Sequence, residues 1–258
     1  MNILITGSSG YIAKSIYNSF KNSFNITTIN RDSFDLCDRV AATSFLQDKF
    51  YDVVIHTATV GGSRLCTESS VILENNLKMF FNLYDNRGNF NKFISFGSGA
   101  EVHGKDTPYG MSKRIINQFI QDTNNFFNLR IYGVFDENEI DTRFIKSNIY
   151  RYIKKTNLIV HEDKEMDFIY MEDLLEIIQY FILNDNVKQK SIDCVYKEKY
   201  KLSNIANIIN ELDIHRSLID INKNYSKSYT GSLHNLCIPE VGLTEGIKKT
   251  YNKIKNNL

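Results

Sequence analysis

Thr6-Gly7-Ser8-Ser9-Gly10-Tyr11-Ile12-Ala13 follows the apolar run at 2–6 directly and opens an amphipathic stretch. Small residues fall at 7, 10 and 13. Gly7 permits a tight turn out of a strand, Gly10 lets backbone approach a pyrophosphate, and Ala13 lets a helix lie close on a sheet. The N–H groups and dipole at the start of that helix favour an anion lined by Gly7, Ser9, Gly10, Tyr11 and Ile12. A plain strand-to-helix turn is the alternative. Position after an N-terminal strand and before a helix favours the phosphate site.

Outward from this turn, short apolar runs alternate with amphipathic segments. The pattern predicts strands over 2–6, 26–29, 52–56, 92–95 and 127–131, and helices over 11–20, 39–49, 69–84 and 109–122. Continuous apolar strands separated by helices signal a parallel sheet covered on both faces. Right-handed crossovers then make the fold α/β and doubly wound. After residue 132 the alternation loosens. Helices are expected over 141–154, 172–183, 202–212 and 243–255, and a strand over 191–196. We read residues 1–135 as a dinucleotide-binding core to which a segment at about 166–196 returns. Residues 136–258 form mainly a small C-terminal substrate-binding lobe.

Composition narrows the class. The 258 residues carry 31 basic and 30 acidic side chains, a net charge of +1, with no basic run. Neither nucleic acid nor an anionic membrane is an expected partner. No apolar stretch is long enough to span a bilayer, and no secretory leader is expected. Cys37, Cys66, Cys194 and Cys237 lack metal-ligand spacing, as do the 5 histidines. The cysteines read as reduced thiols of a cytoplasmic protein, and no metal site is expected.

Asn30-Arg31-Asp32 ends the second strand, where a dinucleotide site places the adenosine ribose. An acid there favours NAD, and an Arg there meets the 2′-phosphate of NADP. Arg31 comes first, so NADP(H) is preferred, with Asp32 keeping NAD(H) open. Asp35 either accepts from the adenine amino group or caps a helix.

Tyr109 and Lys113 stand four apart and share one helical face. An ammonium beside a phenol lowers its pKa and lets it pass a proton near neutral pH. Two surface residues on one helix face are the alternative. The pair follows the fourth strand, whose carboxyl end is where open α/β sheets bind ligands. Ser98, leaving that strand in Gly97-Ser98-Gly99-Ala100-Glu101, would hydrogen-bond a substrate carbonyl. Its small neighbours, Gly99 included, leave space for a ligand; a Gly/Ser turn is the plainer reading.

Together these stretches resemble the extended short-chain dehydrogenase/reductase family, the NAD-dependent epimerases and dehydratases. His56-Thr57-Ala58-Thr59 resembles its small-residue loop over the cofactor, adding Thr57, Ala58 and Thr59 to the expected cofactor contacts. The segment at 166–173 resembles its Arg-Asp-Phe-Ile-Tyr-Val-Asp-Asp element. Asn30 to Leu36 resembles the cofactor-selecting segment of the GDP-fucose synthase subfamily, bringing in Leu36. Two departures from that subfamily matter. Ala100 stands where it has a Cys, and Arg143 where it has the His used as second epimerisation acid/base. Reduction needs neither group.

The resemblance implies an NADPH-dependent reductase of a nucleotide-activated 4-keto-6-deoxy sugar, supplying surface polysaccharide. Tyr109 would be proton donor, Ser98 would stabilise the oxyanion, and Lys113 would hold the nicotinamide ribose. Arg143 would meet the substrate diphosphate, or be an ordinary surface Arg. Tyr229 would line the substrate lobe, or sit in a plain turn. A homodimer is expected. The alternatives are a 4-epimerase with retained NAD and, in another class, a non-catalytic NAD(P)-binding sensor.

Overall fold

The computed structural model describes residues 1–62, 69–222 and 226–257. The chain divides into two compact units: residues 1–130 with 178–192, and residues 131–177 with 193–258.

The first unit runs β1 (Asn2–Thr6), α1 (Tyr11–Phe20), β2 (Asn25–Ile29), α2 (Arg39–Leu46), β3 (Tyr51–His56), α3 (Ser70–Asp85), β4 (Phe90–Ser98), α4 (Ala100–His103), α5 (Pro108–Asp122) and β5 (Phe126–Ile131). With β9 (Ser191–Asp193) the strands form one six-stranded sheet in the order β2-β1-β3-β4-β5-β9. β1 pairs in parallel with β2 and β3, and β3 in parallel with β4. The order reverses at β1, as the doubly wound expectation requires. The strands are apolar because both faces are covered: Ile3, Leu4, Ile5, Val54, Ile55, Phe93 and Ile94 are buried. Leu4, Val54, Phe80, Phe93, Ile116, Ile120 and Phe126 share one core, in which the rings of Phe93 and Phe126 stack at 4.8 Å.

Local chemistry sets the helix ends. Asp38 caps α2 by accepting from the N–H groups of Val40 and Ala41. The helix stops at Leu46, short of the expected 49, because Asp48 takes a left-handed φ of 60°. Thr107 caps α5 by accepting from Gly110 N–H, and Pro108 occupies the first turn, where its missing N–H costs nothing. After Ser98 and Gly99 the chain winds directly into the short helix α4.

Lys92 lies inside β4 yet is buried. Its ammonium donates to the carbonyls of Phe181, Ile182 and Asn184, each at 2.9 Å, and pairs with Asp185 at 3.1 Å. Those carbonyls are the orphan acceptors at the end of a helix. One buried cation thereby fixes the returning segment beside the sheet.

The second unit holds β6 (Val134–Phe135), α6 (Phe144–Ile153), β7 (Leu158–Val160), β8 (Ile169–Tyr170), most of α7 (Met171–Leu183), α8 (Leu202–Asn210), β10 (Ile219–Ile221) and α9 (Leu243–Asn256). β6 with β8, and β7 with β10, make two small parallel sheets. Its core gathers Phe135, Ile145, Ile149, Leu158, Tyr170, Ile205, Ile209 and Ile247.

Among the described residues Cys37, Cys194 and Cys237 stand outside any disulfide; Cys66 lies outside the described residues. Among them too, no helix is long and apolar enough to cross a membrane, and no group of three or more His, Cys, Asp or Glu could hold a metal ion.

Candidate active site

The turn after β1 is built as its glycines require. Gly7 has φ +69°, and a Cβ there would lie 2.7 Å from the backbone of Ala58. That close approach is secured from the other side. Thr57 donates through Oγ1 to Thr6 O at 2.6 Å, and Ala58 N–H donates to Thr6 Oγ1 at 3.3 Å. Gly10 precedes α1 without any side-chain cap, and α1 has no acidic residue in its first turn. Among the described residues a Cβ on Gly10 would meet only Gly7 O, at 3.2 Å, so the helix start is an open cradle. Uncapped N–H groups in such a cradle fit a pyrophosphate. Ser9 is exposed there, and Tyr11 and Ile12 are half-buried.

Asn30 organises the end of β2. Its Oδ1 accepts from the N–H groups of Asp32, at 2.9 Å, and Ser33, at 3.3 Å. Its amide donates to the Asp32 carboxylate at 3.2 Å. Asp32 is thus engaged locally while the Arg31 side chain is exposed. Asp35 accepts from Cys37 N–H at 2.9 Å and shapes the turn into α2, whose cap is Asp38. Leu36 is buried beneath it.

The loop after β3 is tied to α5 by Asn76, a buried polar residue of α3. Its side chain accepts from Val60 N–H at 2.8 Å, and its amide donates to Val60 O at 3.0 Å and Ser112 Oγ at 3.1 Å. Ser112 in turn donates to Tyr109 O at 2.7 Å. Thr59 is exposed on this loop and donates to Asn76 at 3.4 Å. Gly61 and Gly62 follow with φ +84° and +77°, a region that favours glycine, and Gly62 packs on the Tyr109 ring.

Tyr109 and Lys113 both project from the first turns of α5. The Lys113 ammonium is 5.7 Å from the centroid of the Tyr109 ring and donates to Phe96 O at 2.8 Å, at the carboxyl end of β4. Burial pushes Lys113 down to about 8, and Glu101 pulls it back up. His56, at the end of β3, is fully buried with its Nδ1 2.8 Å from Thr6 Oγ1. Burial, and then the Lys113 charge, push its imidazole down to about 3, so it is neutral at physiological pH. Ser98 ends β4. Its hydroxyl accepts from Ala100 N–H at 3.2 Å, and Gly99 is buried at the start of α4.

Glu101 is the residue that sequence reasoning passed over. It is 5% exposed and accepts from Ser98 N–H at 3.0 Å and from the Asn128 amide at 3.2 Å. Arg130 stands 3.9 Å away. Its burial pushes the carboxyl up to about 7, against the pull of Asn128, Ser98, Arg130 and Lys113.

Arg143 and Tyr229 belong to the second unit. Arg143 is exposed at the N-terminus of α6, which begins later than the expected 141. Tyr229 bridges to Met166, and its ring meets that of Tyr132 edge-on at 5.3 Å.

One unit thus holds a glycine turn against an uncapped helix, which fits a Rossmann-type nucleotide site, and a Tyr–Lys pair on α5 whose ammonium reaches the carboxyl end of β4. Residues 3–195 match the NAD dependent epimerase/dehydratase family, and the chain belongs to it. CDP-abequose synthase of Yersinia pseudotuberculosis is 24% identical over 241 residues, covering 82% of this chain and 84% of that one. The fold is shared with the GDP-mannoheptose C4 reductase of Campylobacter jejuni, solved with NADP bound (17% identity, TM-score 0.78, 98% of each chain). It is shared also with a GDP-L-fucose synthetase of Naegleria fowleri bound to NADP (17% identity, TM-score 0.76, 99% of this chain and 93% of that one). Family membership makes a nicotinamide dinucleotide the cofactor, and the open cradle at Gly10 fits its pyrophosphate.

Proposed function

We propose that the chain is an NADPH-dependent reductase that converts the C4 ketone of a nucleotide-activated 4-keto-6-deoxy sugar to an alcohol, in deoxysugar assembly for surface polysaccharide. The observation that carries this reading is the Tyr109–Lys113 pair, with the ammonium 5.7 Å from the phenol ring and buried at the end of β4. A C4 reductase among the fold's relatives and a CDP-sugar synthase among the sequence relatives point to the substrate class. Ala100 and Arg143 stand where proton shuttling for epimerisation would need a Cys and a His, which favours reduction alone.

NADPH supplies the hydride when bound. The residues of the chain do the rest. Tyr109 gives its phenolic proton to the oxygen that becomes the hydroxyl. Lys113, charged in a site of low polarity, makes that proton easier to release. Ser98 donates to the developing oxyanion; its backbone N–H is held by Glu101, and its hydroxyl accepts from Ala100 N–H. Arg31, exposed while Asp32 is held by Asn30, favours the 2′-phosphate of NADPH over the bare ribose of NADH. Arg143 at the start of α6 suits a diphosphate, and Tyr229 suits the sugar side. α3 and α5 form the expected homodimer face: Phe119 is 39% exposed and meets Phe81 edge-on at 4.8 Å.

The test is a panel of GDP-, dTDP-, CDP- and UDP-linked 4-keto sugars with NADPH, followed by NMR of the product. Consumption of NADPH with one nucleotide series and formation of a C4 alcohol is expected. Sugar interconversion on tightly retained NAD, without NADPH consumption, would make the chain a 4-epimerase. Cofactor binding without turnover, indifferent to Tyr109→Phe, would make it a sensor.

A further inference from the structure

The glycine turn borders a second hollow, apart from the cradle at Gly10. Ser8, Lys14, Tyr17, Asn18 and Thr28 line one recess of about 150 Å³. That is room for several water-sized groups, at about 30 Å³ each, and so for a phosphate. α1 supplies Lys14, Tyr17 and Asn18, the turn supplies Ser8, and β2 supplies Thr28. The helical period puts the three α1 residues on one face, while Ala13, Ile16 and Phe20 turn the adjoining face into the core. Ser8 N–H donates to Ile29 O at 3.0 Å, which ties this wall to the end of β2. Arg31 follows Ile29 by two residues. The recess thus adjoins both the pyrophosphate cradle and the strand end where a dinucleotide site places the adenosine ribose.

We propose that Lys14 is a second cofactor-selecting residue: with Ser8 and Thr28 it receives the 2′-phosphate of NADPH from the side of α1, while Arg31 meets that phosphate from the end of β2. This deepens the proposed function and rests on its choice of NADPH.

The charge of the recess fits a dianion. Lys14 is exposed, and among the described residues it pairs with no carboxylate. α1 has no acidic residue in its first turn. The Lys21 ammonium stands 5.9 Å from the centroid of the Tyr17 ring, which adds a second cation beside this wall. Ser8 and Thr28 bring hydroxyl donors. Asp32, next to Arg31 in the chain, is held by Asn30 at 3.2 Å. The uncapped start of α1 binds the pyrophosphate that NADPH and NADH share, so it cannot tell the two apart. Discrimination falls to groups that meet the phosphate NADH lacks. Lysine suits that task as a point charge with three donors on a flexible stem, and Arg31 adds a planar fork.

The test uses fragments of the cofactor and needs no sugar. Titration calorimetry of the full chain measures affinity for 2′,5′-ADP, which carries the phosphate, and for 5′-AMP, which does not. Lys14→Gln keeps much of the stem and removes the charge; at an exposed position it is expected to leave the fold intact. Its affinity for 2′,5′-ADP is expected to fall about 10-fold, the worth of one charge-assisted contact. Its affinity for 5′-AMP is expected to stay within about 2-fold. Lys14→Arg, which keeps the charge, is expected to retain most of the preference. Unchanged 2′,5′-ADP affinity in Lys14→Gln, or an equal fall for both fragments, overturns the proposal. Lost preference in Arg31→Ala but not in Lys14→Gln overturns it while leaving the choice of NADPH standing. A parent protein that binds both fragments equally defeats that choice and the proposal together. Failure of every keto sugar to turn over defeats the reductase reading and leaves a positive result here standing.

Discussion

Tyr109 rests its ring on the backbone of Gly62, so closely that a Cβ on Gly62 would lie 2.8 Å from the ring carbon bearing the phenol oxygen. The proposed proton donor is therefore located by a contact that only glycine permits. Gly62→Ala would both strain a backbone at φ +77° and push the ring away. A stability loss of about 1–3 kcal/mol is expected from the backbone, read as a lowered urea midpoint. A fall in kcat of roughly 10-fold or more is expected from the displaced ring.

Tyr109→Phe separates ring from hydroxyl. The contact with Gly62 survives and the proton does not. The urea midpoint is expected to move by about 1 kcal/mol or less. kcat is expected to fall about 100- to 10,000-fold, the usual contribution of a positioned proton donor. Single-turnover reduction, followed by NADPH absorbance, measures it.

Lys92→Met tests how the first unit is closed. The substitution keeps an apolar stem but leaves the carbonyls of Phe181, Ile182 and Asn184 without their buried donor. A loss of about 2–4 kcal/mol is expected, since each buried acceptor left unmade costs roughly 1–3. Urea unfolding followed by circular dichroism checks it. Hydrogen exchange is expected to speed up first at residues 178–192.

Glu139, in the second unit, sets a pH slope on stability. It is buried, and one of its oxygens, Oε2, has no hydrogen-bond partner among the described residues. Burial pushes its carboxyl up to about 8, with Arg143 and Lys146 pulling it down and Asp136 raising it. The folded protein then holds a proton that the unfolded chain releases near 4.5. Stability contributed by this group is full below the lower value and is lost as pH rises toward 8. Glu139→Gln cannot titrate. Between pH 5.5 and 8.5 the parent is expected to lose on the order of 2 kcal/mol more than the variant. Equal losses in urea titrations at the two pH values would refute this origin of the slope.

Arg31→Ala addresses cofactor choice. Its guanidinium is exposed beside an Asp32 already held by Asn30 at 3.2 Å. NADPH affinity is expected to drop about 10- to 100-fold, the worth of a charge-assisted contact to phosphate. NADH affinity is expected to stay within about 2-fold, because exposed residues without such a contact contribute little. Fluorescence titration with both nucleotides distinguishes the two outcomes.

The legible parts of the molecule were the local ones. Gly7, Gly10 and Ala13 announce a strand-to-helix turn within eight residues, and Tyr109 and Lys113 meet across a single helical turn. What the sequence hid depends on distant partners. Glu101 reads as one acid in a small polar loop, and only the fold brings it to Asn128, 27 positions on. Asn76 and Lys92 look like surface residues, yet each is buried because its polar atoms are satisfied by segments far along the chain. β6 and β10 span two and three residues, below the length at which alternation can register. Arg143 and Tyr229 carry no spacing that distinguishes a ligand contact from an ordinary loop.

The first unit is discontinuous in the chain, and this has a bearing on synthesis. A ribosome delivers residues 1–130 long before 178–192, so the sixth strand and the carbonyls awaited by Lys92 arrive after some fifty intervening residues. Until then a nascent nucleotide-binding half carries an open sheet edge at β5 and a lysine sealed toward nothing. A fragment ending at residue 130 would be a sticky, chaperone-dependent species rather than a free-standing module, and any attempt to graft this half onto another protein must carry the returning segment with it.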